Sequence, residues 1–418
     1  MNHGTVAVLL RGLCIDLAGK PQAVVYEAAG EGAVPGSAMK LEINSGESEE
    51  SAAGIIRRAY DDWKTGVFGE TGGKNVPIPG CSLLYSGGRL EALYWIDGDI
   101  DSARKRLQER NAAPGKAGAA PSGKTASDAA GEEKVRVVKM EERAAVVKNR
   151  IALVTGGAQG IGEEIVRNLA AAGAFVFIAD LNLEGAKKLA TQINAEEGRT
   201  AALALGVNVS DETSVAAMFS AIAETAGGLD LCVSNAGVLR AASVLEQELA
   251  EFKFVTDINY TGFFIISKYA GRLLRTQHRT APRWKTDIIQ INSKSGLEGS
   301  NKNGAYAGGK FGGLGLAASF AMELVEYNIK VNAICPGNFL DGPLWSHPEK
   351  GLFVQYLKTG KVPGAKTVAD VRSFYEAKVP MKRGCTGRDL VRALFYIVEQ
   401  EYETGQAVPV TGGQVMLH

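Results

Sequence analysis

Thr155-Gly156-Gly157-Ala158-Gln159-Gly160-Ile161-Gly162 is the stretch whose reading decides the fold. It follows an apolar run, Ile151-Ala152-Leu153-Val154, of the kind that forms a buried parallel strand. It opens a segment, Glu163 to Ala172, that reads as a helix. Strand, glycine-rich turn and helix, in that order, are the context in which a dinucleotide's pyrophosphate is held. Gly156 and Gly160 let the backbone turn tightly and approach the phosphates, and Gly162 lets the helix lie close to the strand. The helix start then presents N–H groups without intrahelical partners and a partial positive charge. A second strand, Ala174 to Ala179, ends at Asp180, where a carboxylate accepts bonds from the adenosine ribose and repels a 2′-phosphate. NAD rather than NADP is therefore the expected cofactor.

Outward from this turn the pattern alternates strand and helix to the end of the chain. The expected strands are Ala201 to Val209, Leu229 to Ser234, Asp287 to Asn292, Lys330 to Ile334 and Ala407 to Val410. The expected helices are Leu183 to Glu197, Thr213 to Ala226, Glu248 to Arg275, a helix from around Tyr306 to Tyr327, and Leu390 to Glu401. Residues Asn338 to Val379 read as an irregular, partly helical insertion. Such alternation requires an α/β fold, a Rossmann-type doubly wound parallel sheet, with its ligand at the carboxyl ends of the strands.

Upstream, residues 1–110 read as a small α+β domain of their own, with no phosphate loop or nucleophile–base pair. Thr5 to Leu10 and Ala23 to Tyr26 are strand candidates. Ser48 to Trp63 has a helical apolar face, Leu83 to Tyr85 and Leu90 to Ile96 flank a hairpin turn, and Asp101 to Arg110 reads as a short helix. Residues 111–131, rich in Ala, Gly, Pro and Ser, read as a flexible linker. Residues 132–418 form the nucleotide-binding domain, and a chain beginning near Glu133 is expected to fold and turn over.

The formal net charge is zero, which points away from nucleic acid and anionic membranes as bulk partners. No apolar run is long enough to span a bilayer, and the N-terminus lacks the pattern of a signal peptide. The five cysteines are scattered and odd in number, and are read as reduced thiols of a cytoplasmic protein. The four histidines have no metal-ligand spacing, so no metal is expected.

Tyr306 and Lys310, four apart on a helix, share a face. A neighbouring ammonium favours tyrosinate, so the phenol is expected to have a lowered pKa and to exchange a proton with a substrate hydroxyl. With Thr155-Gly156-x-x-x-Gly160-x-Gly162, Asn235-Ala236-Gly237, Asn259, Ser293 and Pro336-Gly337 in order along the chain, this second half resembles the short-chain dehydrogenase/reductase family. The resemblance implies that Asn259, Ser293, Tyr306 and Lys310 are catalytic. Ser293 would hold and polarise the reacting oxygen, with Ser295 as its rival, and Asn259 would hold a water of a proton relay. Lys310 would also bond the nicotinamide ribose. The implied cofactor-binding residues are Gly156, Gln159, Gly160, Ile161, Gly162, Asp180, Asn208, Val209, Asn235, Ala236, Gly237, Tyr306, Lys310, Pro336 and Gly337.

Two positions depart from the family's usual pattern. Asn208-Val209 stands where Asp-Val is frequent beside the adenine, and Lys294 lies between Ser293 and Ser295, where small or apolar residues are usual. Three stretches carry the resemblance furthest, toward members acting on phosphopolyols: Ile291-Asn292-Ser293-Lys294-Ser295-Gly296, Lys378 to Cys385, and Val410 to Val415. They imply NAD-linked interconversion of sorbitol 6-phosphate and fructose 6-phosphate by a homodimer or homotetramer. Lys294, then Arg240 and Lys382 or Arg383, are the candidate partners of the phosphate. Two alternatives stay open: a dehydrogenase of another polyol or secondary alcohol, and an NAD(H)-sensing regulatory protein acting through residues 1–110.

Overall fold

The computed structural model describes residues 3–18, 23–28, 39–43, 47–68, 81–86, 89–97, 101–105, 145–349, 351–358, 360 and 362–416. Its first element is a helix, α1 (His3–Ala18), which corrects the strand expected over Thr5–Leu10. Every residue from Val6 to Leu10 is buried, as are Leu13, Cys14 and Ile15. A helix covered all round is apolar all round, and a short apolar run carries no period that separates it from a buried strand. Strands β1 (Ala23–Ala28) and β2 (Met39–Glu42) follow, then helix α2 (Glu49–Phe68) and strands β3 (Cys81–Ser86) and β4 (Arg89–Asp97). They form a four-stranded sheet in the order β1-β4-β3-β2, with β3 and β4 antiparallel as the hairpin reading expects. Strand β2 was not among the expected elements; it pairs parallel to β3. Residues 101–105 are helical. The remainder of the helix expected to Arg110, and the linker read over residues 111–131, lie outside the described residues.

The second sheet begins with β5 (Ile151–Thr155), α3 (Gly160–Ala171), β6 (Phe175–Asp180), α4 (Leu183–Glu197) and β7 (Ala202–Gly206). The chain continues through α5 (Glu212–Ala226), β8 (Leu231–Ser234), α6 (Leu249–Thr256), α7 (Gly262–His278), β9 (Thr286–Ile291), α8 (Gly304–Leu324) and β10 (Ile329–Pro336). Three helices follow, α9 (Pro343–Ser346), α10 (Leu352–Lys358) and α11 (Val368–Ala377), and then α12 (Gly387–Glu399) and β11 (Ala407–Val410). The sheet is parallel throughout, in the order β11-β10-β9-β8-β5-β6-β7. It is the doubly wound Rossmann arrangement, and its order reverses between β5 and β8.

Both faces of the sheet are buried, which is why its strands read as unbroken apolar runs. Side chains still alternate between the faces. Ile151, Leu153, Phe175 and Phe177 belong to one core, shared with Ile222 of α5 and Ile266 of α7. Ala152, Val154, Val176 and Ile178 belong to the other, shared with Ile165 of α3 and Leu394 of α12. The helix expected over Glu248–Arg275 is interrupted by a π turn, Asp257–Thr261, between α6 and α7. The insertion has a small core of its own around Trp345, Phe353 and Val371.

The two sheets meet through α1, which packs against α5 and α7 as well as against β1, β4 and α2. Val8 and Ala103 lie in the same core as Ile222 and Ile266. Gly12 makes the approach possible, because a Cβ there would stand 2.2 Å from Thr280 Oγ1. Beside it, fully buried Arg11 donates to Asp230 Oδ2 at 2.6 Å and to Gln277 Oε1 at 2.7 Å. Asp230, equally buried, also accepts from the Ile151 N–H at 2.8 Å and from Trp284 Nε1 at 3.0 Å. No helix among the described residues is long and apolar enough to cross a membrane.

Candidate active site

The glycine-rich turn leaves β5 and enters α3 with Gly156 and Gly160 at positive φ, +61° and +59°. A Cβ on Gly162 would stand 2.0 Å from the Gly156 carbonyl oxygen, and one on Gly156 would stand 2.9 Å from Ala236 Cα. Asn235 closes the turn: its Nδ2 donates to the carbonyls of Thr155 and Gly156, each at 2.9 Å. Thr155 Oγ1 in turn accepts from the N–H groups of Asn235 and Ala236. Gln159 occupies the N-cap of α3 with no side-chain bond to the first-turn N–H groups. Those donors and the helix dipole together form an anion-accepting cradle that an added Cβ would fill. The glycines, the uncapped helix start and the carboxylate at the next strand end fit a dinucleotide. Pro343 lies at the rim, 3.3 Å from where a Gly160 Cβ would be.

Asp180, at the end of β6, holds its carboxylate against the turn. Oδ2 accepts from the Ala158 N–H at 3.0 Å and Oδ1 from the Asn182 N–H at 2.9 Å. Asn208 lies just beyond the end of β7. It is exposed, and its Oδ1 already accepts from the N–H and the hydroxyl of Ser210. Val209 is buried.

Asn259 sits in the π turn, almost fully buried, and clasps the backbone of Val238: Oδ1 accepts from its N–H and Nδ2 donates to its carbonyl, both at 2.8 Å. Asn259 Oδ1 and Lys310 Nζ both border Gly237, 3.2 and 3.8 Å from where its Cβ would be. Ser293 follows β9, and its Oγ accepts from the Ser295 N–H at 3.1 Å. Tyr306, which α8 brings across from the next element, lies beside the Ser293 side chain. Lys310, one turn further along α8, donates from Nζ to the Ile291 carbonyl at 2.9 Å and lies 5.6 Å from the Tyr306 ring centre. Asn259 and Lys310 thus meet beside Gly237, with the Tyr306 ring next to Lys310 and Ser293 beside Tyr306. Pro336-Gly337 ends the neighbouring strand β10, with the Gly337 N–H donating to the Val410 carbonyl at 2.9 Å.

The ionisation of the pair differs from the expectation. Burial raises the Tyr306 phenol above its usual value, opposed by the neighbouring Ser293 side chain. Burial lowers the Lys310 ammonium from 10.5 to about 8. Near neutral pH both groups keep their protons, and the phenol is a proton donor rather than a ready base.

The candidate phosphate partners are spread out. Lys294 follows Ser293 in a single 3-10 turn, Lys294–Gly296, half-buried and outside the ion pairs of the described residues. Arg240 is exposed, with its guanidinium 5.6 Å above the Phe254 ring. Lys382 donates to the Ala377 carbonyl. Arg383 makes a two-pronged pair with Asp389, at 2.6 and 2.9 Å, which holds that carboxyl well below its usual range. A residue that sequence reading passed over, Asn292, spans β9 and α8: its Nδ2 donates to the Lys310 carbonyl at 2.9 Å and its Oδ1 accepts from the Ser293 N–H at 2.8 Å. No spacing announces such a bond across eighteen positions.

Residues 150–347 match the family model described as short chain dehydrogenase. Sorbitol-6-phosphate 2-dehydrogenase from Escherichia coli (strain K12) is 37% identical over 271 residues, 64% of this chain and 99% of that protein. The solved structure of sorbitol-6-phosphate 2-dehydrogenase from Erwinia amylovora, 39% identical, superposes with a TM-score of 0.59 over 64% of this chain and 100% of that one. RhlG of Pseudomonas aeruginosa, solved as an NADP active-site complex, is 27% identical with a TM-score of 0.55 over 65% of this chain and 98% of its own. The chain belongs to the short-chain dehydrogenase/reductase family. It is an oxidoreductase with a nicotinamide cofactor, joined to a preceding segment that these relatives leave unmatched.

Proposed function

We propose that the protein is an NAD-dependent dehydrogenase of a phosphorylated polyol, interconverting sorbitol 6-phosphate and fructose 6-phosphate. What carries this reading is the 37% identity to a sorbitol-6-phosphate 2-dehydrogenase along 99% of that protein's length. The nicotinamide ring supplies the hydride acceptor or donor at the sugar's second carbon. Tyr306 exchanges the proton of the hydroxyl on that carbon, and Ser293 holds the same oxygen. Lys310 and Asn259 border the position that a nicotinamide ribose and a relay water would take. Exposed apolar side chains on α7 and α8, Phe264, Phe311 and Met322, suit an assembly of two or four copies. Turnover of sorbitol 6-phosphate with NAD, measured against sorbitol and other secondary alcohols, tests the substrate. A higher kcat/KM for any of these favours the broader alcohol-dehydrogenase reading.

The cofactor prediction rests on Asp180. Its carboxylate, already held by two backbone N–H groups, presents negative charge where a 2′-phosphate would lie. Catalytic efficiency with NAD should exceed that with NADP by roughly a hundredfold, and Asp180→Ala should narrow the gap. Equal efficiency in the unaltered protein would refute the assignment.

A dianionic phosphate needs a cation at the far end of the substrate. Lys294 is the nearest in sequence to Ser293 and forms no ion pair among the described residues. Lys294→Ala should raise the KM for sorbitol 6-phosphate by roughly tenfold, the scale of a lost charged hydrogen bond, with NADH binding unchanged. The preference over plain sorbitol should shrink in step. If the ratio of the two efficiencies stays constant, Lys294 does not meet the phosphate.

A further inference from the structure

Asn292 is buried, 3% exposed, and every polar arm of its side chain is used. Oδ1 accepts from the Ser293 N–H at 2.8 Å; Nδ2 donates to the Lys310 carbonyl at 2.9 Å and to Gln290 Oε1 at 2.8 Å. Its own N–H donates to the Ile334 carbonyl at 2.8 Å, which fixes its backbone to β10. A buried amide with a purely local duty would satisfy the nearest ends of the ladder. This one joins the backbones of two residues that belong to the site and stand on different elements. Lys310 is thereby held at both ends, its carbonyl by Asn292 and its ammonium by the Ile291 carbonyl. The surroundings are shaped to the amide. A Cβ on Gly296 would stand 2.2 Å from Asn292 Oδ1, and one on Gly313 would stand 2.4 Å from Gln290 Nε2. The loop after Ser293 and the helix bearing Tyr306 therefore both close on this pair of side chains.

We propose that Asn292 is a positioning residue, which sets the separation and orientation of Ser293 relative to Tyr306 and Lys310. This rests on the reading of those three as the reacting groups. Asn292→Asp separates the two arms. The carboxylate still accepts from the Ser293 N–H, but its second oxygen meets two acceptors, the Lys310 carbonyl and Gln290 Oε1. Asn292→Ala removes both arms. Displacement of a reacting group by a fraction of an ångström lowers the rate of chemistry while leaving a distant binding surface intact.

The experiment compares unaltered protein, Asn292→Asp, Asn292→Ala, Ser293→Ala and Tyr306→Phe as full chains, with sorbitol 6-phosphate and NAD. Expected are a kcat lowered about tenfold in Asn292→Asp and about a hundredfold in Asn292→Ala, with the NADH dissociation constant held within about twofold. A primary deuterium isotope effect on kcat, with substrate deuterated at the second carbon, should rise in both. Asn292→Asp conserves size and decides the matter if the alanine variant does not fold. An Asn292→Asp kcat within about twofold of the unaltered protein, with Ser293→Ala and Tyr306→Phe inactive, overturns the positioning role alone. So does a loss that appears equally in NADH binding. Full turnover by Ser293→Ala and Tyr306→Phe overturns the reading of the site and the positioning role with it.

Discussion

Replacing Tyr306 by phenylalanine is expected to lower turnover by about a hundredfold or more while NADH still binds. The ring keeps its place on α8 and its contact with Lys310 at 5.6 Å; only the hydroxyl that meets Ser293 is lost. That hydroxyl is protonated near neutrality, as an ordinary phenol is, and burial raises it further, so in the direction of carbonyl reduction it is a proton donor. Lys310 behaves oppositely. Its ammonium, lowered from 10.5 to about 8, holds its charge below about pH 8 at a cost to the folded state. Between about 8 and 10.5 the folded chain binds fewer protons at this site than the unfolded chain, so this group's contribution to stability rises with pH across that window. Lys310→Met should flatten that slope in denaturation experiments. Fluorescence titration of NADH and initial rates decide the tyrosine: near-full turnover by Tyr306→Phe would remove it as the proton-transfer group.

The second large effect lies far from the chemistry. Arg11→Met is expected to destabilise the protein by about 3–5 kcal/mol, the scale found when one partner of a buried ion pair is removed. The substitution leaves the fully buried carboxylate of Asp230 without its guanidinium and Gln277 Oε1 without its strongest donor. A double variant, Arg11→Met with Asp230→Asn, should regain part of the loss, because no uncompensated charge remains. Denaturant unfolding of the full chain measures both. A loss below about 1 kcal/mol would mean that the pair does not hold α1 in place. The same contacts bear on a chain beginning near Glu133, which the sequence alone suggests is self-sufficient. Such a chain uncovers the faces of α5 and α7 that α1 covers, and its melting temperature should fall below that of the full protein.

The doubly wound sheet could be read from sequence because each of its signals is local. Strands buried on both faces appear as apolar runs, and Gly156, Gly160 and Gly162 are demanded by a single turn. Tyr306 and Lys310 fall on one face by helical spacing alone. What escaped depends on partners remote in the chain. Helix α1 reads as a strand because it is covered on all sides, and the π turn around Asn259 leaves no mark on the periodicity of Glu248–Arg275. Helical spacing also suggests that Lys310 should acidify Tyr306, yet its ammonium is turned to the Ile291 carbonyl and burial dominates. Asn292 is visible only once β9 and α8 are side by side.

The docking of α1 has a kinetic side. Arg11 finds Asp230 and Gln277 at separations of 219 and 266 residues along the chain. During synthesis, at about 5–20 residues per second, α1 is therefore made more than ten seconds before its last partner. Through that interval a helix with no polar face lacks the surroundings that α5 and α7 provide. Its apolar surface stays open to mispairing meanwhile, and contacts of such long range are also those that close slowly. Biogenesis of this protein should accordingly depend on factors that shield apolar segments during translation, with the yield of native molecules set by how long α1 waits.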